Sequence, residues 1–384
     1  MRPRKPAATV RPTSPSPATA RNWKLLTIPA VAVATCGLIW LAWSAFRPDP
    51  LRQAREELER RDFPTAMNHL AARLNEHPDD PEANLLAAQT ARRAGDFTVA
   101  FERLKIAERK SGRTESLDLE SRLLKVQQGD SQEADALFNR YIDHPEFPET
   151  PLVMEAYLEG RLWVLAPRSD SEMDARKAEA AGVAKLHRAV DLWLRLRTGK
   201  ADTAQGLVWR GRIQVFENEH AKGIFSLREA LVLDPNHFVA RWHLAMAVAQ
   251  DSPTDAARHL ETLLAREPEN YPIRFGLART YRMLGRTQDS QRILSELRAI
   301  RPNDPSVLLE LANLALDAGR VDDATPLVTR VLELTPDSPP VLLTAMRYHQ
   351  LANHPDEVER YRKRVESMQA EQQKQRESAA PSKP

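Results

Sequence analysis

YPIRFGLARTYRMLGRTQDSQRILSELRAIRPND, residues 271–304, runs directly into PSVLLELANLALDAGRVDDATPLVTRVLELTPDS, residues 305–338. Set one above the other, these two 34-residue stretches agree in residue type at fixed offsets. Leu277 and Ala278 fall on Leu311 and Ala312, Tyr281 on Ala315, Gly285 on Gly319, Ser290 on Ala324, Leu297 on Val331 and Pro302 on Pro336. Pro235 and Pro268 carry the series backwards, so four prolines stand 33, 34 and 34 residues apart. A period of that length is the mark of one supersecondary unit copied along the chain. In both stretches a glycine that can take positive φ ends a first helix, and a proline near the end blocks continuation of a second. The pattern predicts helix, turn, helix, turn.

Counted in this frame, regular units start near Arg47, Pro81, Glu115, Ala204, Phe238, Tyr271, Pro305 and Pro339. Position 8 holds Ala54, Ala88, Gly211, Ala245, Ala278 and Ala312 in six of the eight units. Position 20 holds Ala66, Ala100, Ala134, Gly223, Ala257, Ser290 and Ala324, and only Val358 departs. These are places where the two helices of a hairpin touch, and a small side chain lets the backbones approach. Gly95, Gly129, Gly285 and Gly319 supply the turn at position 15. Taken together, the positions resemble the tetratricopeptide repeat, whose unit is two antiparallel helices. The resemblance implies an all-α fold, a right-handed α-solenoid of about eight to nine helical hairpins over residues 47–370. Stacked units bury their apolar faces against neighbours, which makes one solenoid rather than several globular domains.

One stretch fits the frame badly. Residues 148–203 exceed one unit and contain the polar segment PRSDSEMDARK, Pro167 to Lys177. They are expected to form a degenerate repeat, with helices near Leu152–Leu165 and Met173–Arg197 joined by an enlarged loop. A neutral surface insertion explains that loop more simply than a special binding loop does.

Upstream, Leu25 to Phe46 runs 22 residues without a charge. As a helix this is about 33 Å long, enough to cross bilayer hydrocarbon. Trp23, Trp40 and Trp43 lie toward its ends, as interfacial aromatics do. A single transmembrane helix over residues 23–46 is therefore expected ahead of the repeats. Arg2, Arg4, Lys5, Arg11, Arg21 and Lys24 precede it without an acidic residue, while the charges that follow are mixed in sign. The positive-inside rule then places a disordered basic tail, residues 1–22, in the cytoplasm. In a bacterial inner membrane the repeats face the periplasm. A cleaved signal peptide has a shorter apolar core and a small-residue cleavage site, and Ala45-Phe46-Arg47-Pro48 is a poor one. Lipidation at Cys36 is disfavoured by the apolar positions that continue after it. A second disordered tail is expected at residues 371–384, where apolar periodicity is lost.

Composition narrows the function classes. With 55 basic and 53 acidic residues and a net charge of +2, nothing resembles a nucleic-acid footprint. Cys36 is the single cysteine, so an intramolecular disulfide and a Cys-x-x-Cys zinc site are both excluded. The ten histidines are scattered with no His-Glu-x-x-His pair, and there is no glycine-rich phosphate loop or nucleophile elbow. No cofactor, metal or catalytic residue is expected, and the chain does not read as an enzyme.

A stack of helical hairpins offers a concave surface lined by the first helix of each unit. The tetratricopeptide resemblance implies partner-facing residues at positions 2, 5, 9, 12 and 13. Position 9 gives Arg55, Gln89, Leu123, Arg212, Met246, Arg279, Asn313 and Arg347, with Trp242, Phe275 and Arg282 at neighbouring groove positions. A row of guanidinium groups beside aromatic surface suits an acidic peptide segment or a C-terminal carboxylate. The same arginines have a plainer explanation as solvated helix formers, and Trp209, Trp242 and Phe275 as core. The expected function is a membrane-tethered scaffold that docks an extended or helical segment of another protein. Alternatives are a periplasmic chaperone or assembly factor (cytochrome maturation, polysaccharide export or secretion) and a cytoplasm-facing adaptor of a membrane enzyme.

Overall fold

The structure is a computed structural model that describes residues 49–164 and 172–379. The expected basic tail at 1–22, the span at 23–46 and Cys36 lie outside the described residues. Among the described residues no helix is long and apolar enough to cross a membrane.

The described residues form eighteen α-helices paired into nine hairpins. The first three hairpins are α1 (Pro50–Glu59) with α2 (Phe63–Glu76), α3 (Pro81–Arg93) with α4 (Phe97–Ser111), and α5 (Glu115–Gln127) with α6 (Ser131–Leu137). Helix α6 passes into a wide π-helical turn, Phe138–Ile142. The fourth hairpin is α7 (Thr150–Val164) with α8 (Glu172–Leu196), and the fifth is α9 (Lys200–Phe216) with α10 (His220–Leu233). Then follow α11 (Phe238–Val248) with α12 (Pro253–Arg266), and α13 (Tyr271–Met283) with α14 (Thr287–Ile300). Last come α15 (Pro305–Asp317) with α16 (Val321–Leu334), and α17 (Pro339–Leu351) with α18 (Pro355–Ala379).

Local chemistry explains the ends. Asp49, Asp80 and Asp304 cap helices that open with proline, whose missing N–H is no loss in a first turn. Asp304 Oδ1 accepts from the amide of Ser306 at 2.9 Å. Gly285 and Gly319 take φ of 72° and 69° at the close of their first helices. Arg61, Asn218 and Asn353 adopt the same left-handed conformation at the equivalent turn of other units.

Two features depart from expectation. Helix α9 begins at Lys200 rather than at Ala204, because Gly199 releases the chain and Arg197 donates to Asp202 at 2.8 Å across the connector. Helix α18 continues to Ala379, through the start of the segment expected to be a disordered tail from residue 371. Residues 371–379, EQQKQRESA, lack an apolar stripe but are nearly all good helix formers.

Small residues do bring the helices together. Ala54, Ala66, Ala88, Ala278, Ser290, Ala312 and Ala324 are almost wholly buried. At the α9–α10 crossing both contact positions are glycine, and a Cβ on Gly223 would stand 2.6 Å from Val215 Cγ2 and 2.9 Å from the Gly211 carbonyl. At the centre of the stack Trp193 and Trp209 meet edge to face at 5.0 Å, both fully buried. Their indole N–H groups donate to the Asp202 carbonyl and to Glu159, each at 2.8 Å.

Candidate partner-binding face

First helices touch along the stack, α1 with α3, α9 with α11, α13 with α15 and α15 with α17. No comparable contact joins consecutive second helices among the described residues, so the stack curves with its first helices on the inner side. Two polar clusters lie on that side.

The N-terminal cluster joins units that are not neighbours. Arg61, in the turn after α1, pairs with Glu155 on α7 at 2.7 Å and stands 3.9 Å from Asp202 on α9. Arg93, at the end of α3, reaches the same Glu155 at 3.0 Å and donates to the Leu58 carbonyl at 3.2 Å. Arg197 bridges Glu59 and Asp202, each at 2.8 Å. Arg92, wholly buried, pairs with Glu120 and donates to Gln127 Oε1 at 2.9 Å. Burial alone would raise the Glu155 carboxyl, yet the positive charges of Arg61, Arg93 and Arg92 hold it down to about 2. It is an anion at any physiological pH.

Beside this network lies a cavity of about 690 Å³, with Arg61, Arg93, Gln205, Arg212, His237 and Phe238 in its wall. Arg61 Nη1 is buried and makes no hydrogen bond, since Asp202 Oδ1 lies beyond reach. Burial pushes His237 below its ordinary value, with Asp234 opposing and Arg61 adding to the effect. Arg212, which pairs with Glu159 at 3.5 Å, also lines a more apolar hollow of about 470 Å³ with Leu162, Val215, Phe216, His243 and Met246. Desolvation, and then the charge of Arg212, push His243 down to about 3, so this ring is neutral.

The C-terminal cluster is a ladder of alternating charge on α13, α15 and α17. Arg279 and Arg282 face Glu310 at 3.6 and 2.8 Å. Arg282 and Arg347 face Asp317 at 2.9 and 2.7 Å. Asn313 Oδ1 accepts from the Thr344 hydroxyl at 3.2 Å. Three guanidinium groups against two carboxylates leave one net positive charge.

The expected row of arginines thus falls in two separate places. Arg279, Arg282, Asn313 and Arg347 come together, whereas Arg212 belongs to the N-terminal cluster. All four of these arginines already have acidic partners within the chain. Trp242 and Phe275 are half-buried against the C-terminal core, and the Trp242 ring lies 3.7 Å from where a Cβ on Gly276 would stand. They buttress the inner face more than they offer free aromatic surface. Arg61, Glu155 and His237 were not singled out from sequence. Arg92 and Arg93 stand at positions 12 and 13 of their unit, which the resemblance marks as partner-facing, so their signal was there to be read. Glu155 lies in the stretch where the frame breaks, and it has no repeat position to mark it.

Family models of the tetratricopeptide repeat match residues 51–112 and 247–314, so the chain carries such repeats in both halves. No curated protein matches the sequence. Among solved structures, MamA AMB-1 is 20% identical over 46% of this chain and 92% of its own, with a TM-score of 0.35. PilW, described as a widely conserved type IV pilus biogenesis factor, is 15% identical over 55% of this chain and 92% of its own, with a TM-score of 0.43.

Proposed function

We propose that this chain is a membrane-tethered scaffold that holds a segment of another protein against the inner face of its repeats. The cavity of about 690 Å³ between hairpins that are not neighbours is the observation that carries this. It is wide enough for several side chains of a docked segment, and its wall mixes guanidinium groups with apolar surface. The arginines of that wall, with the one uncompensated charge of the C-terminal ladder, suit an acidic segment. The uncharged run Leu25–Phe46 supports the tether, and the basic flank ahead of it supports repeats on the periplasmic side of an inner membrane. Tethering raises the effective concentration of the face for partners at the same membrane.

The test is affinity capture from crosslinked membranes with the native chain and with one carrying Arg212→Glu, Arg279→Glu and Arg347→Glu, alongside compartment-specific reporters fused after Pro384. The expected result is a small set of discrete partners lost in the triple variant while helicity is kept, with only the periplasmic reporter active. A broad range of unfolded clients would replace the scaffold with a chaperone. An active cytoplasmic reporter would overturn the orientation.

A further inference from the structure

The turn that ends the first helix is rebuilt in most units from the same backbone bond, in which one amide donates to the carbonyl five residues earlier. Asp96 donates to Ala91 at 2.8 Å, Arg286 to Tyr281 at 2.8 Å, Arg320 to Ala315 at 2.9 Å and His354 to His349 at 2.9 Å. The residue before each donor, Gly95, Gly285, Gly319 or Asn353, has positive φ. This motif brings together the side chains of its first and last residues, where an apolar contact is usual. In one unit they are Tyr281 and Arg286, with the guanidinium 3.8 Å from the ring centre. In the last unit both are histidines.

His349 Nδ1 and His354 Nδ1 face each other at 3.3 Å. The His349 ring is stacked on Tyr361 at 5.5 Å and 19°, and it meets Tyr348 edge-on at 4.9 Å. Tyr348 is held in turn by Thr325 at 2.9 Å. The His349 ring is therefore fixed by packing, while the exposed His354 ring lies 5.6 Å from it between ring centres. Two nitrogens bound to one tetrahedral ion at about 2.0–2.1 Å each stand about 3.3–3.4 Å apart. The observed separation matches.

We propose that His349 and His354 form a two-point site for a divalent transition ion of the zinc class, with water in the remaining positions. Imidazole nitrogen suits zinc, copper or nickel over magnesium or calcium. Among the described residues no group of three or more His, Cys, Asp or Glu converges to hold a metal, so no third side chain of that kind joins the two imidazoles, and His354 is exposed to solvent. Without metal, one ring carries its proton on Nδ1 and the other accepts it. Metal takes both lone pairs once both rings carry the proton on Nε2, which requires no net proton loss from neutral rings. Burial, opposed by Glu357 and reinforced by His354 and Arg360, pushes the His349 ring below its ordinary value.

Calorimetric titration of zinc chloride into the untagged full-length chain in detergent tests this, with thermal unfolding read in parallel. The native chain is expected to bind one equivalent and unfold at higher temperature with zinc. Both effects should vanish in His354→Ala and in His349→Phe, the latter keeping an aromatic stack on Tyr361, and persist in His220→Ala. Absence of binding in the native chain, or its retention in either the His354 or the His349 variant, overturns the proposal and leaves an ordinary imidazole hydrogen bond.

Discussion

Glu155→Gln removes a charge at the point where the chain ties its first units to its fourth, with almost no change of volume. Glu155 is 3% exposed and contacts Arg61 at 2.7 Å and Arg93 at 3.0 Å. Its carboxyl sits at about 2 against an ordinary 4.5. At about 1.36 kcal/mol per unit, that difference corresponds to roughly 3 kcal/mol of folding free energy. Breaking a buried pair from one side typically costs about 3–5 kcal/mol, a comparable figure, because the remaining charges stay buried without a counter-ion. In a solenoid the loss stays near its origin, since each unit is supported by its own fold and its neighbours. Hydrogen exchange on the full-length chain in detergent is therefore the assay. Peptides from residues 50–93 should exchange ~100-fold faster in the variant, and peptides from 305–351 should not change. A pH series gives a second arm. The folded value is depressed, so the contribution is complete above about 4.5 and drains away as pH falls toward 2, and the variant should lack that loss. Acceleration of less than about threefold in residues 50–93, or an equal acceleration throughout, would refute the idea that Glu155 is the tie.

Gly223→Ala should destabilise the chain by about 1–3 kcal/mol in urea unfolding, because the new methyl meets Val215 and the Gly211 carbonyl at once. Gly285→Ala has open space around it but φ of 72°, so a loss of about 1–2 kcal/mol from backbone strain alone is expected in the same assay. His243 has a folded value near 3 against an ordinary 6.5, so its contribution is full above 6.5 and is lost as pH falls toward 3. His243→Phe should flatten the slope of urea midpoint against pH in that window.

The architecture was legible because a solenoid writes its nearest-neighbour contacts into the period. Ala278, Ser290, Ala312 and Ala324 are small where two backbones meet, and the structure buries each of them almost completely. Turn residues were less uniform than their chemistry suggested. Arg61 takes φ of 61° where other units use glycine, and nothing in its residue type announces that. The candidate site was harder still. Position 9 placed Arg279 and Arg347 on the inner side, and Asp317 stands at position 13, which the same rule marks, but the rule says nothing of Glu310 at position 6, which pairs with Arg279 and Arg282 from the intervening helix. His349 and His354 looked scattered in sequence because the turn that unites them is visible only once Asn353 is known to be left-handed.

What no repeat pattern encodes is how far the stack has turned by the time a later unit comes round to face an earlier one. That depends on a small rotation per unit summed over several units, one of them the irregular stretch at 148–203. Arg61 and Glu155 are 94 residues apart, and they meet at 2.7 Å only because of that sum. The cavity beside them is lined by the first two hairpins and by the fifth and sixth, with Gln127, Gln128 and Glu159 of the third and fourth between them, so its width follows the same rotation. A segment docked there touches both walls. If the partner docks there, its affinity depends on the width that the Glu155 ion pairs set, and Glu155→Gln, a change outside the cavity wall, should weaken capture of the partner from crosslinked membranes.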